Sequence, residues 1–502
     1  MDLQALMDGF KSILTSPSAI LWCLLGITIG TLVGALPGVG PTTGIAILLP
    51  LTFGLNPLDA LILMMSVYNG AMYGGRISSI LINVPGDAAA VVSTFDGYPL
   101  AQQGKAGYAL TLSAVASFIG GTLGFVGLAF LSPTIARGAL VFGPPEYFTL
   151  MLFALIATSG LAEKRPFKAI VSTLLGLMIA LIGMDSVTGE PRLTFGLLEL
   201  WDGIDFVVVA IGVFGMSEVL LRLETGSAMQ EIAAKLPFKS LFPNIKEIVS
   251  NFSAIARGSL IGFFVGVLPG AGATIATFLA YSAEKKVSRN PERFGMGVPQ
   301  GLSAPEAANN ASVGGALIPT FSLGIPGSGT TAILLGGLMM VGLKPGPLMF
   351  QESGDVIWAA IAGFCVANIL LLILNTVFVP FFAIAIQKAD PYMAPLIAVL
   401  CSLGVYMMNN SLFDIGLMIF FGFVGYFMRK CQFPIAPLIL GLILAPMIEK
   451  SMRQALSMSG NDYSIFVMRP ISLVFLVLSI ILLFLPIIKK LYNRNPEIKI
   501  NQ

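Results

Sequence analysis

Long apolar stretches alternate with short polar ones along the whole chain. A helix needs roughly 20 residues to cross a bilayer. Apolar stretches close to this length lie near 18–36, 107–131, 145–161, 168–184, 204–221, 354–387 and 467–488, with shorter ones between them. The pattern predicts an all-α integral membrane protein with about 10–14 transmembrane segments, some of them broken or re-entrant.

The composition supports a membrane protein. Of the 502 residues, 56% are hydrophobic and 11% are charged, and the mean hydropathy is +0.88. Soluble domains carry about 25% charged residues. The first apolar stretch continues to Leu36 without a small-residue cleavage site, which favours a retained membrane segment over a signal peptide. We therefore predict a multi-pass protein in contact with membrane lipid.

The net charge and the scarcity of reactive side chains limit the kinds of partner and site that we predict. The net charge is +2, and the chain has no basic tract that would follow nucleic acid phosphates, so we predict no nucleic acid partner. The chain lacks histidine, the commonest metal ligand and general base. Its four cysteines are scattered without metal-ligand spacing. We predict no metal site, no cofactor and no catalytic residue.

The chain carries one unusual run twice. The run GTLVGALPGVGPTTG begins at Gly30, and GFFVGVLPGAGATIA begins at Gly262. Without gaps, residues 26–42 share ten identities in 17 positions with residues 258–274. The order continues downstream, where Asn69, Ala71, Gly74 and Gly75 align with Asn309, Ala311, Gly314 and Gly315. The predicted division is a first membrane repeat (1–222), a connecting loop (223–256), a second membrane repeat (257–490) and a cytoplasmic tail (491–502).

Charges beside the two runs indicate that the repeats are inverted. The first run is followed by the uncharged LTFGLNP, and the second by AEKKVSRNPER. Basic loops stay in the cytoplasm. If the matched loops lie on opposite sides of the membrane, the two repeats have opposite orientations. Duplicated halves are common in secondary transporters, which hold their substrate where the copies meet.

The glycines that lead into each run predict close helix packing. Small residues four apart share one helix face and let two membrane helices approach closely. Both runs contain such a set, namely Gly26, Gly30 and Gly34 in the first and Gly258, Gly262 and Gly266 in the second.

The LPG part of each run predicts an interrupted helix. Proline cannot donate a backbone hydrogen bond, and glycine lowers helix propensity. A helix should therefore end, turn and restart here, and its free amides and the nearby threonine hydroxyls would attract an anion. Carbonyl groups at the preceding helix end could hold a cation. The alternative is a kink needed only for packing.

Two further segments place polar residues in membrane-like sequence. YNGAMYGGRISSILINVPGDAAAV (68–91) contains Arg76 and Asp87, which need a partner or water. Arg76 could bind a substrate carboxylate in bidentate fashion, or pair with Asp87 or another acid. In APEAANNASVGG (304–315), helical spacing puts Glu306 and Asn310 on one face. Glu306 could carry a proton or sodium ion, or cap a helix.

These observations define the candidate residues. The segment LGIPGSGTTA (323–332) repeats the interrupted-helix pattern, and its counterpart NVPGDAAA has Asp87 where the second repeat has Ser328. The candidate coupling-ion residues are Asp87 and Glu306. The candidate substrate-binding residues are Pro37, Gly38, Gly40, Thr42, Thr43, Asn69, Arg76, Pro269, Gly270, Gly272, Thr274, Asn309, Asn310, Pro326, Gly327 and Ser328.

The motifs together resemble the large membrane subunit, TctA, of the tripartite tricarboxylate transporters. The resemblance covers Gly26 to Gly346 most densely, and the hydropathy of the remaining chain also fits. It is carried by LPGVGPTTG, YNGAMYGGRISSILINVPGDAAAV, LPGAGAT, PEAANNASVGGALIPTFSLGIPGSGTTAILLGGL and GLKPGP.

The resemblance implies a function and partners. It implies the substrate-translocating permease subunit of a secondary active system that takes up tricarboxylates or related small carboxylates, driven by a proton or sodium gradient. The implied partners are a periplasmic solute-binding protein and a small membrane subunit of about four helices, and the implied location is the bacterial inner membrane. Two alternatives remain open from the residues alone, namely an anion channel and an intramembrane enzyme.

Overall fold

The computed structural model describes residues 3–36, 39–161, 166–185, 188–225, 245–382, 384 and 392–494. In these residues the chain is helical apart from turns and one two-stranded antiparallel sheet, which confirms the all-α class. The α-helices in the first part of the chain are α1 Leu3–Thr15, α2 Pro17–Ala35, α3 Gly40–Leu48, α4 Pro57–Ile82, α5 Val91–Leu100, α6 Ala106–Ala139, α7 Pro144–Leu161, α8 Pro166–Ala180, α9 Phe206–Ala210 and α10 Ser217–Thr225.

The next described residues begin at Ile245. Its α-helices are α11 Ile245–Ser250, α12 Phe252–Val267, α13 Gly272–Val287, α14 Pro299–Leu323, α15 Gly329–Met340, α16 Met349–Glu352, α17 Gly354–Val377, α18 Met393–Asn409, α19 Leu412–Lys430, α20 Ala436–Ser459, α21 Ile465–Met468 and α22 Pro470–Arg494.

Shorter elements connect the helices. The two strands, β1 Gly183–Met184 and β2 Pro191–Arg192, pair antiparallel with Gly183 opposite Arg192. The remaining segments are 3₁₀-helices at Leu49–Thr52, Leu198–Leu200 and Pro291–Arg293 and π-helical segments at Ala101–Lys105 and Ile211–Met216.

Five helical segments of the described chain are long and apolar enough to cross a membrane. They are Pro17–Ala35, Val91–Ala139, Phe206–Glu224, Gly354–Val377 and Leu412–Lys430. Shorter apolar helices accompany them at Gly40–Thr52, Pro166–Ala180, Phe252–Val267, Gly329–Met340, Met393–Asn409 and Pro470–Phe484. This is the helix content of a multi-pass membrane protein, while the number of spans and their orientation stay predictions.

The chain forms two compact units, and the first consists of 1–138 and 207–427. Its most extensive helix contacts join α2 to α4 and α12 to α14. A Cβ atom on Gly34 would overlap the carbonyl oxygen of Ala71, and one on Gly262 would overlap that of Ala308. The close approach that the glycine spacing predicts is therefore confirmed in both pairs.

Helices α4 and α14 form the interior of the first unit. Helix α4 is buried at every residue from Asp59 to Ile82, and α14 at every residue from Gly301 to Ser322. Both carry asparagine, serine and charged side chains, which lipid cannot solvate. Each ends in a left-handed residue, Asn83 with φ 57° and Gly324 with φ 69°.

The second unit consists of 139–206 and 428–502. In it α8 packs closely on α20, and the sheet is tied to α20 by ion pairs. The Nη2 atom of Arg453 lies 2.6 Å from Oδ2 of Asp185, and Nη1 of Arg192 lies 3.0 Å from Oε1 of Glu449. This division follows contacts in space. The repeats at 1–222 and 257–490 divide the chain by sequence similarity instead, and they stay a prediction.

Candidate functional site

Both predicted helix interruptions are present. Helix α2 ends at Ala35 and α3 begins at Gly40, while α12 ends at Val267 and α13 begins at Gly272. Pro37 and Gly38 lie outside the described residues. Proline and glycine therefore stop the helix in both runs, as their propensities predict.

The described residues that flank the two interruptions have the same backbone conformation. The cap residues Leu36 and Leu268 have φ/ψ of −81°/120° and −77°/121°. Each cap amide donates to a carbonyl three residues back, with N···O distances of 3.2 Å and 3.1 Å. The restarting helices begin at left-handed glycines, Gly40 with φ 60° and Gly272 with φ 61°. A side chain at either glycine would strain this turn.

A Pro-Gly turn follows each inner helix. After α14 the chain passes through Pro326 and Gly327, both buried, to the start of α15. Ser328 caps α15, because its Oγ accepts from the amide of Thr331 at 3.2 Å and its amide donates to Oγ1 of Thr331 at 2.9 Å. The matching turn after α4 holds Gly86 and Asp87.

Each interruption lies against one of these turns. The amide of Gly270, which follows the half-buried Pro269, donates to the carbonyl of Gly327 at 3.0 Å. A Cβ atom on Gly86 would overlap the carbonyl oxygen of Gly34, and one on Gly40 would lie 3.3 Å from Cβ of Asp87. The LPG runs and the Pro-Gly turns thus form two adjoining pairs.

Hydroxyl groups connect the two pairs. The Oγ1 atoms of Thr42 and Thr330 lie 2.8 Å apart, and the hydroxyl of Tyr68 lies 3.5 Å from Oγ of Ser328. Because Thr42 lies in the first turn of α3 and Thr330 in the first turn of α15, two helix N-termini meet here. Thr330 belongs to the segment LGIPGSGTTA, but neither it nor Tyr68 is among the residues predicted from sequence to bind substrate, since only the fold brings residues 288 positions apart into contact.

Two other predicted threonines lie near the interruptions. Thr43 is buried beside Thr42, whereas Thr274 is half-buried in the first turn of α13. The backbone carbonyl of Thr274 accepts from Thr277 Oγ1 at 2.9 Å.

Three buried asparagines, one on α4 and two on α14, have unpaired amide atoms among the described residues. Asn69 is 0% exposed, and neither its Oδ1 nor its Nδ2 has a partner among the described residues. Asn309 donates to the carbonyl of Met72 at 3.3 Å, and Asn310 donates to that of Glu306 at 3.2 Å. Their Oδ1 atoms are unpaired within the described chain. Each such atom costs about 1–3 kcal/mol unless something polar binds it.

Glu306 lies in the middle of α14. Its carboxylate accepts hydrogen bonds from the hydroxyl groups of Ser93 and Ser117, the latter at 3.1 Å. Helix α14 begins at Pro299, seven residues earlier, so the interpretation of Glu306 as a helix cap is wrong. The side chain is a carboxyl group held by neutral donors inside the protein.

Asp87 lies in the turn before α5. Its Oδ1 accepts from the amide of Ala90 at 2.8 Å, and the residue is half-buried. Asp87 is therefore placed against the first interruption, and Glu306 against α5 and α6.

Arg76 is fully buried and bonded to neutral acceptors. Its Nε donates to the carbonyl of Tyr73 at 2.9 Å, its Nη1 to the carbonyl of Leu110 at 2.5 Å and to Oγ of Ser113 at 2.6 Å, and its Nη2 to the carbonyl of Asn375 at 3.4 Å. Within the described residues no ion pair includes Arg76, so the expected pairing with Asp87 is not present there.

Interrupted helices that meet beside buried polar side chains, in a multi-pass helical protein, are typical of membrane transporters. A family model described as the tripartite tricarboxylate transporter TctA family matches residues 20–440. The chain belongs to this family, which confirms the resemblance found in its motifs.

Two proteins of Agrobacterium vitis are similar to this chain. An uncharacterized 52.8 kDa protein in the TAR-I ttuC' 3' region is 36% identical over 503 residues, which covers 100% of both chains. An uncharacterized protein in the TAR-II ttuC' 3' region is 33% identical over 237 residues, which covers 47% of this chain and 98% of the other. No solved structure matches.

Proposed function

We propose that this chain is the substrate-translocating permease subunit of a secondary active tripartite transporter. It takes up tricarboxylates or related small carboxylates across the bacterial inner membrane, driven by a proton or sodium gradient. Its partners are a periplasmic solute-binding protein and a small membrane subunit of about four helices. The observation that carries the proposal is the meeting of α3 and α15 at Thr42 and Thr330, which are 2.8 Å apart.

The geometry suits an anionic substrate. Helix N-termini present free amides and a positive dipole end, which stabilise anions. The hydroxyls of Thr42, Thr330, Ser328 and Tyr68 add donors at the same place. A carboxylate that reaches this region exchanges its water for fixed donors, and a substrate with several carboxylates can also engage the unpaired amides of Asn69 and Asn309.

Charge balance assigns a role to the buried carboxyl groups. A polyanion cannot enter an apolar interior without compensation, because an unpaired buried charge is costly. We assign the coupling ion, H⁺ or Na⁺, to Glu306 or Asp87, where its charge offsets that of the substrate. Loading from the soluble binding protein, occlusion and release then follow one another as the transporter alternates between its two sides.

One contact favours a transporter over the alternative of an anion channel. A channel needs a continuous open path, whereas the Thr42 and Thr330 hydroxyls bond to each other across the place where the substrate is proposed to bind. Such a contact belongs to a site that opens and closes.

The test is uptake of radiolabelled citrate into vesicles that contain all three subunits, with and without sodium and with an imposed pH gradient. We expect gradient-driven accumulation. Asn69→Ala and Asn309→Ala each remove hydrogen bonds to a charged ligand, so the apparent affinity should fall about 10-fold to 100-fold. Asn409→Ala is the matched control, because this exposed asparagine donates to Oδ2 of Asp414 at 2.9 Å and lies outside the candidate site. Unchanged kinetics in both core variants would contradict the assigned site.

A further inference from the structure

Helix α5 is attached to the segment that leads into α14 by a carboxylate. Asp96 is fully buried, and its Oδ1 accepts from the amides of Gly295 at 3.0 Å, Gly297 at 2.9 Å and Val298 at 2.7 Å. Its Oδ2 accepts from the hydroxyl of Tyr281 at 3.1 Å. We call Asp96 and these four donors the α5 latch. Successive amides that surround an anion form a strong site without any cation.

Residues 295–298, which we call the latch segment, have the backbone geometry that the contact with Asp96 requires. Gly295 and Gly297 have φ of 93° and 96°, which lets their amides point to one oxygen. Beside the latch, Nε2 of Gln103 donates to the carbonyl of Met296 at 2.9 Å. Apart from the contact with Tyr281, which lies on α13, these contacts join side chains of 96–103 to the segment that precedes α14.

The same helix also contacts the candidate coupling residue. Ser93 lies one turn before Asp96 on α5, and its hydroxyl donates to Glu306. Gly97, one residue after Asp96, packs over Leu302 of α14, since a Cβ atom there would lie 3.3 Å from Cδ1 of Leu302. Helix α5 therefore covers α14 from Leu302 to Glu306, and two carboxylate contacts hold it there.

The C-terminal end of α5 has the features of a hinge. There Gly104 has φ 78° and ψ 9°, a break in helical geometry inside the π-helical segment Ala101–Lys105. A Cβ atom at Gly104 would meet nothing within 4 Å, so the space on this side of the backbone is open. Pro99 removes one helical hydrogen bond shortly before this break. At its N-terminal end α5 is connected to α4 by the non-helical turn with Gly86, which packs closely on Gly34.

The matching helix in the other repeat lacks a latch. The alignment that sets Gly86 opposite Gly327 sets Asp96 opposite Gly337 of α15. Gly337 packs on apolar side chains, since a Cβ atom there would lie 2.5 Å from Sδ of Met64 and 2.9 Å from Cδ1 of Leu49. At these matched positions α5 is held by hydrogen bonds to a charge, whereas α15 packs on apolar side chains.

The charge of the segment before Gly295 predicts the side of the membrane on which the α5 latch lies. Exposed basic residues precede Gly295, and basic loops stay in the cytoplasm. They are Lys285, Lys286, Arg289 and Arg293.

We propose that α5 is the cytoplasmic gate of the transport pathway and that Asp96 is the positioning residue that holds it closed. The gate rotates about Gly104, and Ser93 connects it to Glu306, so that a change at the coupling site breaks or restores one of its two contacts. This inference rests on the proposed function for what passes the gate, and it names the moving element.

The first test prevents the gate from moving. In a variant whose four native cysteines are replaced by alanine, Gln103→Cys and Met296→Cys are combined to cross-link the π-helical segment that continues α5 to the segment that precedes α14. Oxidation should abolish citrate uptake, and reduction should restore it, while each single variant under the same oxidant keeps the parent rate. Parent-level uptake by the oxidised, cross-linked variant would overturn the proposal.

The second test opens the gate and does not require transport. Leu302→Cys reports on the surface beneath α5, and its labelling by a membrane-impermeant maleimide is measured in inside-out vesicles. Asp96→Ala should raise the labelling rate at least about tenfold, because it removes the hydrogen bonds to a charge. Asp96→Asn keeps an oxygen that can accept from the three amides, so labelling should stay within about twofold of the parent.

Controls separate the gate from the proposed function. Asp59→Ala removes a buried carboxyl group on α4 that bonds to Asn56, and it should leave labelling unchanged. Equal labelling in Asp96→Ala and the parent would overturn the gate. Labelling that responds to Asp96 in a parent that takes up no carboxylate would uphold the gate and contradict the proposed transport function.

Discussion

At the scale of single residues, the buried polar groups of the first unit are of two kinds. Arg76 and Asp96 are surrounded by protein acceptors or donors, whereas Asn69 has an amide group without any partner among the described residues. Satisfied groups stabilise the fold, and unsatisfied buried groups lower stability unless a ligand or water binds them. This difference separates residues that hold the helices in place from residues that are available to a substrate.

A lysine at position 76 tests this distinction. Arg76→Lys replaces a planar fork of donors by a single ammonium group, which cannot reach the carbonyls of Tyr73, Leu110 and Asn375 together. We expect a loss of about 1–3 kcal/mol of stability, seen as a lower melting temperature of the detergent-solubilised protein. Asn69→Ala should lower uptake without lowering that temperature. Normal stability with abolished uptake in Arg76→Lys would instead show that Arg76 binds substrate.

At the scale of helices, glycine determines which surfaces touch. In both packed pairs the glycine face of one helix lies on the backbone of its partner, so the helices approach more closely than any side chain would allow. The interruption then begins one or two residues after the last glycine of this face. Close packing therefore fixes where each restarting helix begins, relative to the inner helix beside it.

Alanine substitutions at two glycines should separate the cost of disturbing a close helix contact from the gain in helix propensity. Gly262→Ala adds a methyl group that overlaps the carbonyl of Ala308, which we expect to destabilise the protein by about 1–3 kcal/mol. Gly416→Ala on α19 meets nothing within 4 Å and favours the helix, so its effect should be neutral or stabilising by up to about 1 kcal/mol. The measurement is thermal unfolding of both variants in the same detergent. Equal melting temperatures would mean that the α12–α14 contact is loose.

At the scale of the whole molecule, two divisions of the chain coexist. The predicted repeats divide it in sequence order, whereas the compact units combine 1–138 with 207–427 and 139–206 with 428–502. All described residues of the candidate site, from Gly40 to Thr330, lie in the first unit. This unit contains both interrupted runs, so the proposed pathway needs only the first unit for its binding residues.

The inverted arrangement of the repeats predicts opposite exposure of two matched loops. In the cysteine-free variant, Phe53→Cys reports on the loop after α3 and Arg289→Cys on the loop after α13, and both residues are exposed. An impermeant maleimide should label Phe53→Cys in intact cells and Arg289→Cys only after permeabilisation. Labelling of both from one side would show that the repeats are parallel.

Local chemistry made the interruptions predictable from sequence. Proline and glycine act through their own backbone, so the helix ends at Ala35 and Val267 and the restarts at Gly40 and Gly272 follow from the runs themselves. The role of Glu306 was less accessible, because its position in the middle of α14 depends on a helix start at Pro299, which no strong signal marks. From sequence, Arg76 was expected to bind a substrate carboxylate or to pair with an acid such as Asp87, whereas backbone carbonyls and one serine hydroxyl accept its hydrogen bonds.

The local sequence alone was enough for the membrane class, the interrupted helices and the family, because hydropathy, backbone propensity and motif order are properties of short segments. Only the folded chain brings Thr42 to Thr330, Ser93 to Glu306 and Asp96 to the amides of 295–298. Such contacts join segments some 190–290 residues apart. These contacts depend on helix packing, since the glycine faces of α2 and α12 fix how each lies on its inner helix, α4 or α14.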